Sequence, residues 1–340
     1  MNRLFSAKYS VSIGSGALLV AIPLLSGDLH FLHFLIMSMI YGIAAMGWIL
    51  TNRTGEFSLG QAGFIAIGSY SSALLTTKLG ISFWMALPLA GMVGTVIAAG
   101  IGSVVLRLRG LYFGLVSFAF AEVIRLIITG TPFLGGGAGI FDIPAPSPIR
   151  FPGLKPLEFS GRVPLYYLCL FLFLVSAYVF WRLDGSRPGK TFRAIAQNGK
   201  LAESVGIYEM KHKVQAFAIG CFFTGVAGSF YAHYLNMLTP AMFNIEQSLW
   251  VFLCAVLGGV RSIVFGPLLG ALVMTVVSNM LRSYGSFEPL VVGLMLSVIC
   301  LYLPGGLISI GAQIVRWLPL DLTRKKQGEV KTEENGWQSR

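Results

Sequence analysis

Long apolar runs, separated by short polar stretches, occupy most of the chain between residues 11 and 310. Many of these runs approach or exceed the roughly 18 to 20 residues that a helix needs to cross a bilayer. Because lipid cannot hydrogen-bond to free backbone groups, such runs are predicted to be helices. The predicted crossings are residues 11–27, 30–51, 61–78, 83–105, 111–131, 164–182, 214–237, 248–262, 264–282 and 289–310. The pattern therefore predicts an all-α polytopic membrane protein of about ten transmembrane helices.

Two parts of this pattern have a second interpretation. The N-terminal run follows basic residues, as in a signal peptide, but no small-x-small cleavage site follows Pro23, which favours an uncleaved first crossing. The two runs beside Arg261 are interrupted by glycine and proline, so they could be re-entrant half-helices instead of full crossings. The interrupting residues are Gly258, Gly259, Gly266 and Pro267.

The charged residues add an orientation. Only 11% of residues are charged, against about a quarter in a soluble domain. The formal net charge of +11 is distributed as the positive-inside rule describes, not as a nucleic-acid-binding surface. Most basic residues are predicted on one side of the membrane: Arg3, Lys8, Arg53, Arg107, Arg109, the cluster from Arg182 to Lys213, Arg261, Arg324, Lys325 and Lys326. The opposite side holds fewer: Lys78, Arg150, Lys155, Arg162 and Arg282. Both termini are therefore predicted to be cytoplasmic.

Two long connections and a hydrophilic tail complete the predicted organisation. Residues 1–10 form a cytoplasmic N-terminus and residues 11–315 the transmembrane domain, followed by a cytoplasmic, partly disordered tail at 316–340. The 132–163 loop lies outside and is longer than a simple connection requires, so it is expected to cover the outer mouth. The 183–213 loop is cytoplasmic, charged and partly helical.

The sequence shows no catalytic or metal-binding motif. DGSRPGKT, from Asp184 to Thr191, resembles a phosphate-binding loop, but Asp184 stands where that motif requires glycine, and a membrane span precedes it where a strand is needed. The four cysteines lie inside apolar runs without ligand-like spacing. If ATP drives this protein, another chain is expected to bind it.

The 183–213 loop contains a short amphipathic stretch, TFRAIAQNGKLAESVG, from Thr191 to Gly206. Its apolar face is predicted from Ala194, Ile195, Leu201, Ala202 and Val205. Gly199 interrupts the stretch and Gly206 can end it, so two short helices are expected. They could lie on lipid headgroups or insert into a groove of a soluble partner.

A few polar residues fall within predicted crossings. Glu122 and Arg125 are three residues apart on one helix face, so they can pair, and intramembrane charges are candidates for a functional role. They are candidates for a translocation pathway, together with Gln61 and Ser69. The alternatives are a structural ion pair, a snorkelling Arg125, and hydrogen bonds between helices.

Five blocks, in this order, resemble the branched-chain amino acid permeases of ABC importers, specifically the LivM type. They are SLGQAGFIAIGSYSSALL (Ser58–Leu75), LRLRGLYFGLVSFAFAEVIRLI (Leu106–Ile127), GKTFRAIAQNGKLAESVGI (Gly189–Ile207), FFTGVAGSFYAHYLNMLTP (Phe222–Pro240) and VLGGVRSIVFGPLLGA (Val256–Ala271). The resemblance covers the chain from about Met39 to Leu303. It implies the ABC importer permease fold in a bacterial inner (plasma) membrane.

The resemblance also implies partners: two ATP-binding subunits, a second homologous permease and an external substrate-binding protein. The chain itself would bind no cofactor and would not be an enzyme. The 183–213 loop would couple it to the ATPase, through the expected contacts Arg193, Ala194, Ala202, Glu203 and Gly206. One departure lies at residues 196–199, AQNG, where relatives commonly carry acidic residues, so the charge matching to an ATPase does not carry over.

Other functions remain as alternatives. The solute could be urea, a short amide or an aromatic acid, because related importers share this architecture. An ion-coupled secondary transporter would require intramembrane carboxylates, of which Glu122 is one, and preferably inverted repeats. A membrane enzyme such as a lipid transferase would require a cluster of Asp, His or Arg at one interface, and the sequence shows none.

Overall fold

A computed structural model describes residues 29–108, 110–148, 159, 161–281, 293, 294, 297 and 305–309. The α-helices in this part of the chain are α1 (Leu29–Asn52), α2 (Gln61–Thr77), α3 (Phe83–Val105), α4 (Leu111–Gly130), α5 (Arg162–Gly185), α6 (Arg187–Gln197), α7 (Gly199–Ser204), α8 (Glu209–Leu235), α9 (Ile245–Gly258) and α10 (Phe265–Leu281). Short 3₁₀ turns at Pro132–Leu134 and Pro240–Phe243 complete the secondary structure. The predicted crossing at 11–27, most of that at 289–310, and the tail lie outside the described residues.

Each of the eight central predicted crossings corresponds to a helix. Among the described residues, five helices are long and apolar enough to cross a membrane: α1, α3, α4, α5 and α8. Between residues 29 and 281, wherever the structure is described, the extended pairing consists of one isolated bridge, Ile140 with Leu238. The prediction of an all-α membrane protein is therefore confirmed, whereas the number of crossings and the side of the termini stay predictions.

Helix α8 is the centre of the bundle and packs against α1, α2 and α3. The backbones approach closely where glycines face each other: a Cβ on Gly220 would lie 2.6 Å from the carbonyl oxygen of Gly47. Small residues allow such contact where lipid offers no hydrophobic drive for helix association. By contrast, most of α3 and α4 is not buried. In the most apolar 18-residue window of each of these helices, 28% is buried inside the chain. These two helices therefore present their outer faces to lipid or to another subunit.

Helix α9 is too short for a full crossing. Its 14 residues span about 21 Å at 1.5 Å per residue, against roughly 30 Å of hydrocarbon. The chain turns at Gly259, whose φ of +109° suits glycine, and α10 then packs back against α9. Arg53 donates to the carbonyl of Arg261 at 2.8 Å, so this turn lies beside the end of α1. The length of α9 suits a half-helix, whereas the turn after it lies at the end of α1, so whether this region spans the membrane or is re-entrant stays open.

The connection between α1 and α2, residues 53–60, folds back into the bundle. Glu56 and Ser58 are almost fully buried, and the Trp48 indole donates to the Ser58 carbonyl at 2.6 Å. Gly60 packs against the backbone of Ser117, the seventh residue of α4, so α2 begins roughly 9 Å beyond the start of α4. Irregular backbone at this depth is tolerated because protein, not lipid, surrounds it.

The described part of the 132–163 loop is fixed to the opposite end of the bundle. His233 is fully buried, with Nδ1 2.7 Å from the Pro144 carbonyl and Nε2 2.9 Å from the Ser72 hydroxyl. Since a carbonyl only accepts, Nδ1 carries the proton and Nε2 accepts from Ser72. Trp84 donates to the carbonyl of Ser147 at 3.0 Å. These bonds hold the loop against α2, α3 and α8.

Candidate functional site

The 183–213 loop folds into two short helices, α6 and α7, with the break at Asn198. The Asn198 side chain caps α7 by accepting from the backbone N–H of Leu201 at 3.1 Å. Helix α7 ends in a Schellman motif, in which Gly206 donates to Glu203 at 2.9 Å and Ile207 donates to Ala202 at 3.0 Å. Gly206 has a φ of +83°, a conformation that side-chain-bearing residues rarely adopt. The glycine therefore fixes how the chain turns from α7 toward α8.

The predicted apolar face of this segment divides into an inner and an outer part. Ile195 and Ala202 are buried, together with Phe192, and attach the helices to the bundle. Leu201, Val205 and Tyr208 are 64%, 72% and 80% exposed, and we call these three residues the docking patch. Of the predicted ATPase contacts, Ala194, Glu203 and Gly206 are exposed and Ala202 lies beneath the surface. The chain alone thus leaves three large side chains uncovered within eight residues of sequence.

Arg193, another predicted contact, is bound to the end of α5. Its guanidinium donates to the backbone carbonyl of Asp184 and lies 3.9 Å from the Asp184 carboxylate. Arg53, at the end of α1, contacts the same carboxylate at 3.2 Å. Asp184 therefore joins α1, α5 and α6. Because 43% of the Arg193 side chain remains exposed, the structure leaves it accessible to a partner as well.

A buried charge cluster, Lys213 with Glu56 and Glu209, lies beneath the two short helices. The Lys213 ammonium is 2.6 Å from one carboxylate oxygen of Glu56 and 2.6 Å from one of Glu209. The three side chains are 5%, 3% and 10% exposed. Sequence reasoning missed this cluster, although the i, i+4 spacing of Glu209 and Lys213 was a local signal. From the sequence alone, Lys213 was interpreted as one more basic residue of the predicted cytoplasmic loop.

Two contacts of small residues attach α6 and α7 to this cluster. Gly199, the first residue of α7, packs so closely on the Glu209 carboxylate that a Cβ there would overlap it. A Cβ on Gly55, beside Glu56, would lie 3.3 Å from the Cα of Ala196 in α6. The short helices, the 53–60 connection and the start of α8 are therefore one packed unit.

Glu122 and Arg125 pair within α4. The guanidinium makes two bonds to the carboxylate, at 2.9 and 2.5 Å. The side chains are 31% and 27% exposed, and the described contacts of the charged groups stay inside one helix. Among the described residues, the pair therefore holds no two helices together.

Gln61 and Ser69 lie on α2 where it packs against α8. Ser69 donates to the Gly228 carbonyl at 2.8 Å, which is a helix–helix contact. Gln61 is 1% exposed and accepts from Thr224 at 3.0 Å, but its amide nitrogen has no hydrogen-bond partner among the described residues. The first turn of α2 also packs on Ala121, next to Glu122. The structure thus brings the start of α2 to the part of α4 that carries the ion pair.

Comparison with protein families identifies the chain. A family model described as "Branched-chain amino acid transport system / permease component" matches residues 30–303. The chain belongs to this family. It is therefore a transport permease subunit and a multi-pass protein of the inner (plasma) membrane.

Individual relatives agree with this assignment. The permease protein LivM of the high-affinity branched-chain amino acid transport system of Salmonella typhimurium is 31% identical over 291 residues, covering 80% of this chain and 68% of the relative. The LivH permease of the same kind of system in Escherichia coli is 26% identical over 286 residues, covering 79% and 91%. The guanosine ABC transporter permease NupQ of Bacillus subtilis is 22% identical over 200 residues, covering 56% and 62%. No solved structure matches the chain.

Proposed function

We propose that this chain is one transmembrane subunit of an ATP-driven importer for branched-chain amino acids. The observation that carries the proposal is the match of the permease family model to residues 30–303. An external binding protein delivers the amino acid, a second homologous permease completes the pathway, and two separate subunits bind and hydrolyse ATP. The chain itself contributes no ATP site, because DGSRPGKT lacks the spacing that phosphate binding requires.

The proposed topology has about ten crossings with both termini in the cytoplasm. Contacts support the predicted side of three basic regions, since Arg53, Arg193 and Arg261 all lie at one end of the bundle. The outer loop of the proposal is 132–163 and the cytoplasmic coupling loop is 183–213, within a permease domain of residues 11–315.

The docking patch is the proposed entry point for work done by the ATPase. An ATPase that closes on ATP moves a permease only through rigid contacts. Leu201, Val205 and Tyr208 supply an apolar anchor for such a contact, and Ala194, Arg193, Glu203 and Gly206 surround or support it. Buried Phe192 and Ile195 hold this surface to the bundle, so it can transmit force.

The proposed pathway runs along α4 and the start of α2. A charged pair on the open face of a membrane helix is costly against lipid, so it is better placed beside water, a solute or another subunit. Glu122 and Arg125 form a dipole that suits a zwitterionic amino acid, and Gln61 begins the helix whose third residue, Gly63, packs on Ala121 beside this pair. Ser69 has a helix-packing bond and is the weakest member of this set.

Purification with native partners tests the proposal. The expected result is a complex that contains two nucleotide-binding subunits and that imports leucine into vesicles only when ATP and the binding protein are supplied. A lone chain that transports under an ion gradient without ATP would show a secondary transporter instead.

Topology and docking need separate measurements. A Lys200→Cys variant should resist membrane-impermeant thiol reagents in intact cells and react in inverted vesicles, and labelling from outside would remove the coupling proposal. Gly206→Arg should insert normally but lose both ATPase association and uptake, because it places a bulky charge at the exposed turn between Val205 and Tyr208 of the docking patch. Normal association of Gly206→Arg would show that this surface does not dock.

Guanosine is a second candidate solute, because the similar NupQ is named a guanosine permease. Competition separates the candidates: excess leucine, isoleucine or valine should block uptake of labelled leucine, whereas guanosine, urea and aromatic acids should not. Strong inhibition by guanosine would move the assignment to nucleosides.

A further inference from the structure

The buried charge cluster stands between the docking patch and the membrane helices. Lys213 lies in α8, Glu209 begins that helix, and Glu56 belongs to the 53–60 connection, 157 residues away from Lys213. A surface ion pair would add little to the protein. Buried as it is, this cluster fixes the relative positions of two segments, α8 and the 53–60 connection, since separating the charges would leave at least one of them uncompensated.

The cluster touches the coupling segment on one side. Gly199 packs on the Glu209 carboxylate, and Gly55 packs on Ala196. Gly55 meets the backbone of Ala196 directly, and Gly199 meets the Glu209 carboxylate, which its 2.6 Å contact with Lys213 holds in place. A shift of α6 or α7 would therefore press directly on Glu209 and on the 53–60 connection.

The other end of the 53–60 connection is attached to α4. The backbone N–H of Leu59 donates to the Ser117 hydroxyl at 2.8 Å. A Cβ on Gly60 would lie 2.7 Å from the Ser117 carbonyl oxygen, and a Cβ on Gly114 would lie 3.0 Å from the Phe57 ring. Glu122 follows Ser117 on the same helix by five residues, a little more than one turn. The connection thus reaches from the buried cluster to the proposed pathway helix.

We propose that Lys213 is a positioning residue: by holding Glu56 and Glu209 together, it makes the 53–60 connection the link through which the docked segment moves α4. This inference rests on the proposed function as an ATP-driven permease. Coupling through the protein requires a contiguous element that both sites bias, and the 53–60 connection is packed against both.

The experiment uses the complete importer in liposomes, with leucine as the probe. Leucine uptake and ATP hydrolysis are measured in the same vesicles for the wild type, Lys213→Met and Glu56→Gln. Lys211→Met is the matched control, because Lys211 is exposed on the same helix two residues earlier. A fourth variant exchanges the charges, Glu56→Lys with Lys213→Glu.

Lys213→Met and Glu56→Gln should keep ATP hydrolysis but import at least about fivefold less leucine per ATP, the lower end of typical coupling between sites. The exchanged pair should recover part of that ratio, and Lys211→Met should match the wild type. A purely structural role would lower the amount of assembled complex without changing leucine imported per ATP. If Lys213→Met does not assemble, Glu56→Gln decides, because it keeps the shape of the side chain.

Two outcomes would overturn the inference. The first is a wild-type ratio of leucine to ATP in assembled Glu56→Gln. The second is equal loss in Lys211→Met. A wild-type complex that imports no leucine with ATP would instead contradict the proposed function itself, which keeps the two failures distinguishable.

Discussion

The molecule carries two ion-paired sites that differ in what they connect. Lys213, Glu56 and Glu209 are almost completely buried and join the 53–60 connection to α8. Glu122 and Arg125 are about 30% exposed and lie on one turn of α4. The buried cluster has an evident structural effect, whereas the pair on α4 contacts no second element within the part of the chain that the structure describes. A charged pair that supports only its own helix yet lies in a membrane span calls for a functional explanation.

Removing the positive charge from each site gives the largest expected contrast. Lys213→Ala should lower the free energy of unfolding by ~3–5 kcal/mol, because it removes the ammonium that two buried carboxylates contact. Arg125→Ala should cost less than ~1 kcal/mol, since pairs within one helix contribute only tenths. Denaturant unfolding in detergent measures both, with Lys211→Ala as the control. Equal costs at the two sites would contradict the comparison.

The buried cluster also shows where sequence reasoning stops. Local patterns were sufficient for the helices: the bounds of α3, Phe83–Val105, coincide with the predicted crossing, and the break near Gly199 separates α6 from α7. Glu56 carries no local sign of its partner, because the pairing depends on how two distant segments pack. The backward fold of residues 53–60 was missed for the same reason, since the bond from Trp48 to Ser58 is tertiary.

At the candidate sites, residue types and their spacing predicted a contact correctly, but they did not predict which side chains are buried. The ion pair of Glu122 and Arg125 followed from spacing alone and is confirmed as a contact. The apolar face of the 183–213 loop was predicted as one surface, yet Ala202 turned inward and Leu201 outward. Which side of a short helix faces the bundle depends on neighbours that a single sequence does not reveal. The pathway and docking roles of these residues stay predictions.

A second prediction concerns the docking patch, through which we propose that the buried charge cluster receives force from the ATPase. Leu201→Glu should weaken association with the ATP-binding subunits about 30-fold, equivalent to ~2 kcal/mol for an apolar anchor. The permease itself should keep its stability, because Leu201 is 64% exposed. Co-purification under increasing salt measures the association. Gln215→Glu adds the same charge at an exposed position of α8 and should have no effect.

An interfacial role for the short helices would give a different result. In that case Leu201→Glu would reduce contact with lipid vesicles and leave the ATP-binding subunits associated. If the ATP-binding subunits stayed associated with Leu201→Glu, the docking patch would not be their contact. The proposed transmission of force from that patch to the buried charge cluster would then be wrong as well.

Neutralising Glu122 and Arg125 tests whether this pair acts in transport. Glu122→Gln combined with Arg125→Gln should reduce leucine uptake about tenfold, a barrier change of ~1.4 kcal/mol. The free energy of unfolding should be almost unchanged, since the recorded contacts of the pair, wherever the structure is described, stay within α4. Thr129→Val, which removes a hydroxyl one turn along the same helix, is the control. Normal uptake by the double variant would assign the pair to the surface of a neighbouring subunit instead of the pathway.

The smallest effect is expected at Gly206, where conformation and docking can be separated. Nothing lies within 4 Å of a Cβ placed on this residue, so Gly206→Ala meets no neighbour, but its φ of +83° strains any side-chain-bearing residue. We expect a loss of ~1 kcal/mol in stability and nearly normal ATPase association. Thermal unfolding and co-purification measure the two quantities. Gly206→Ala could instead abolish association, as Gly206→Arg is expected to do. That result would show that the ATPase depends on the shape of the turn after α7, and it would remove the support for the docking patch as the contact surface.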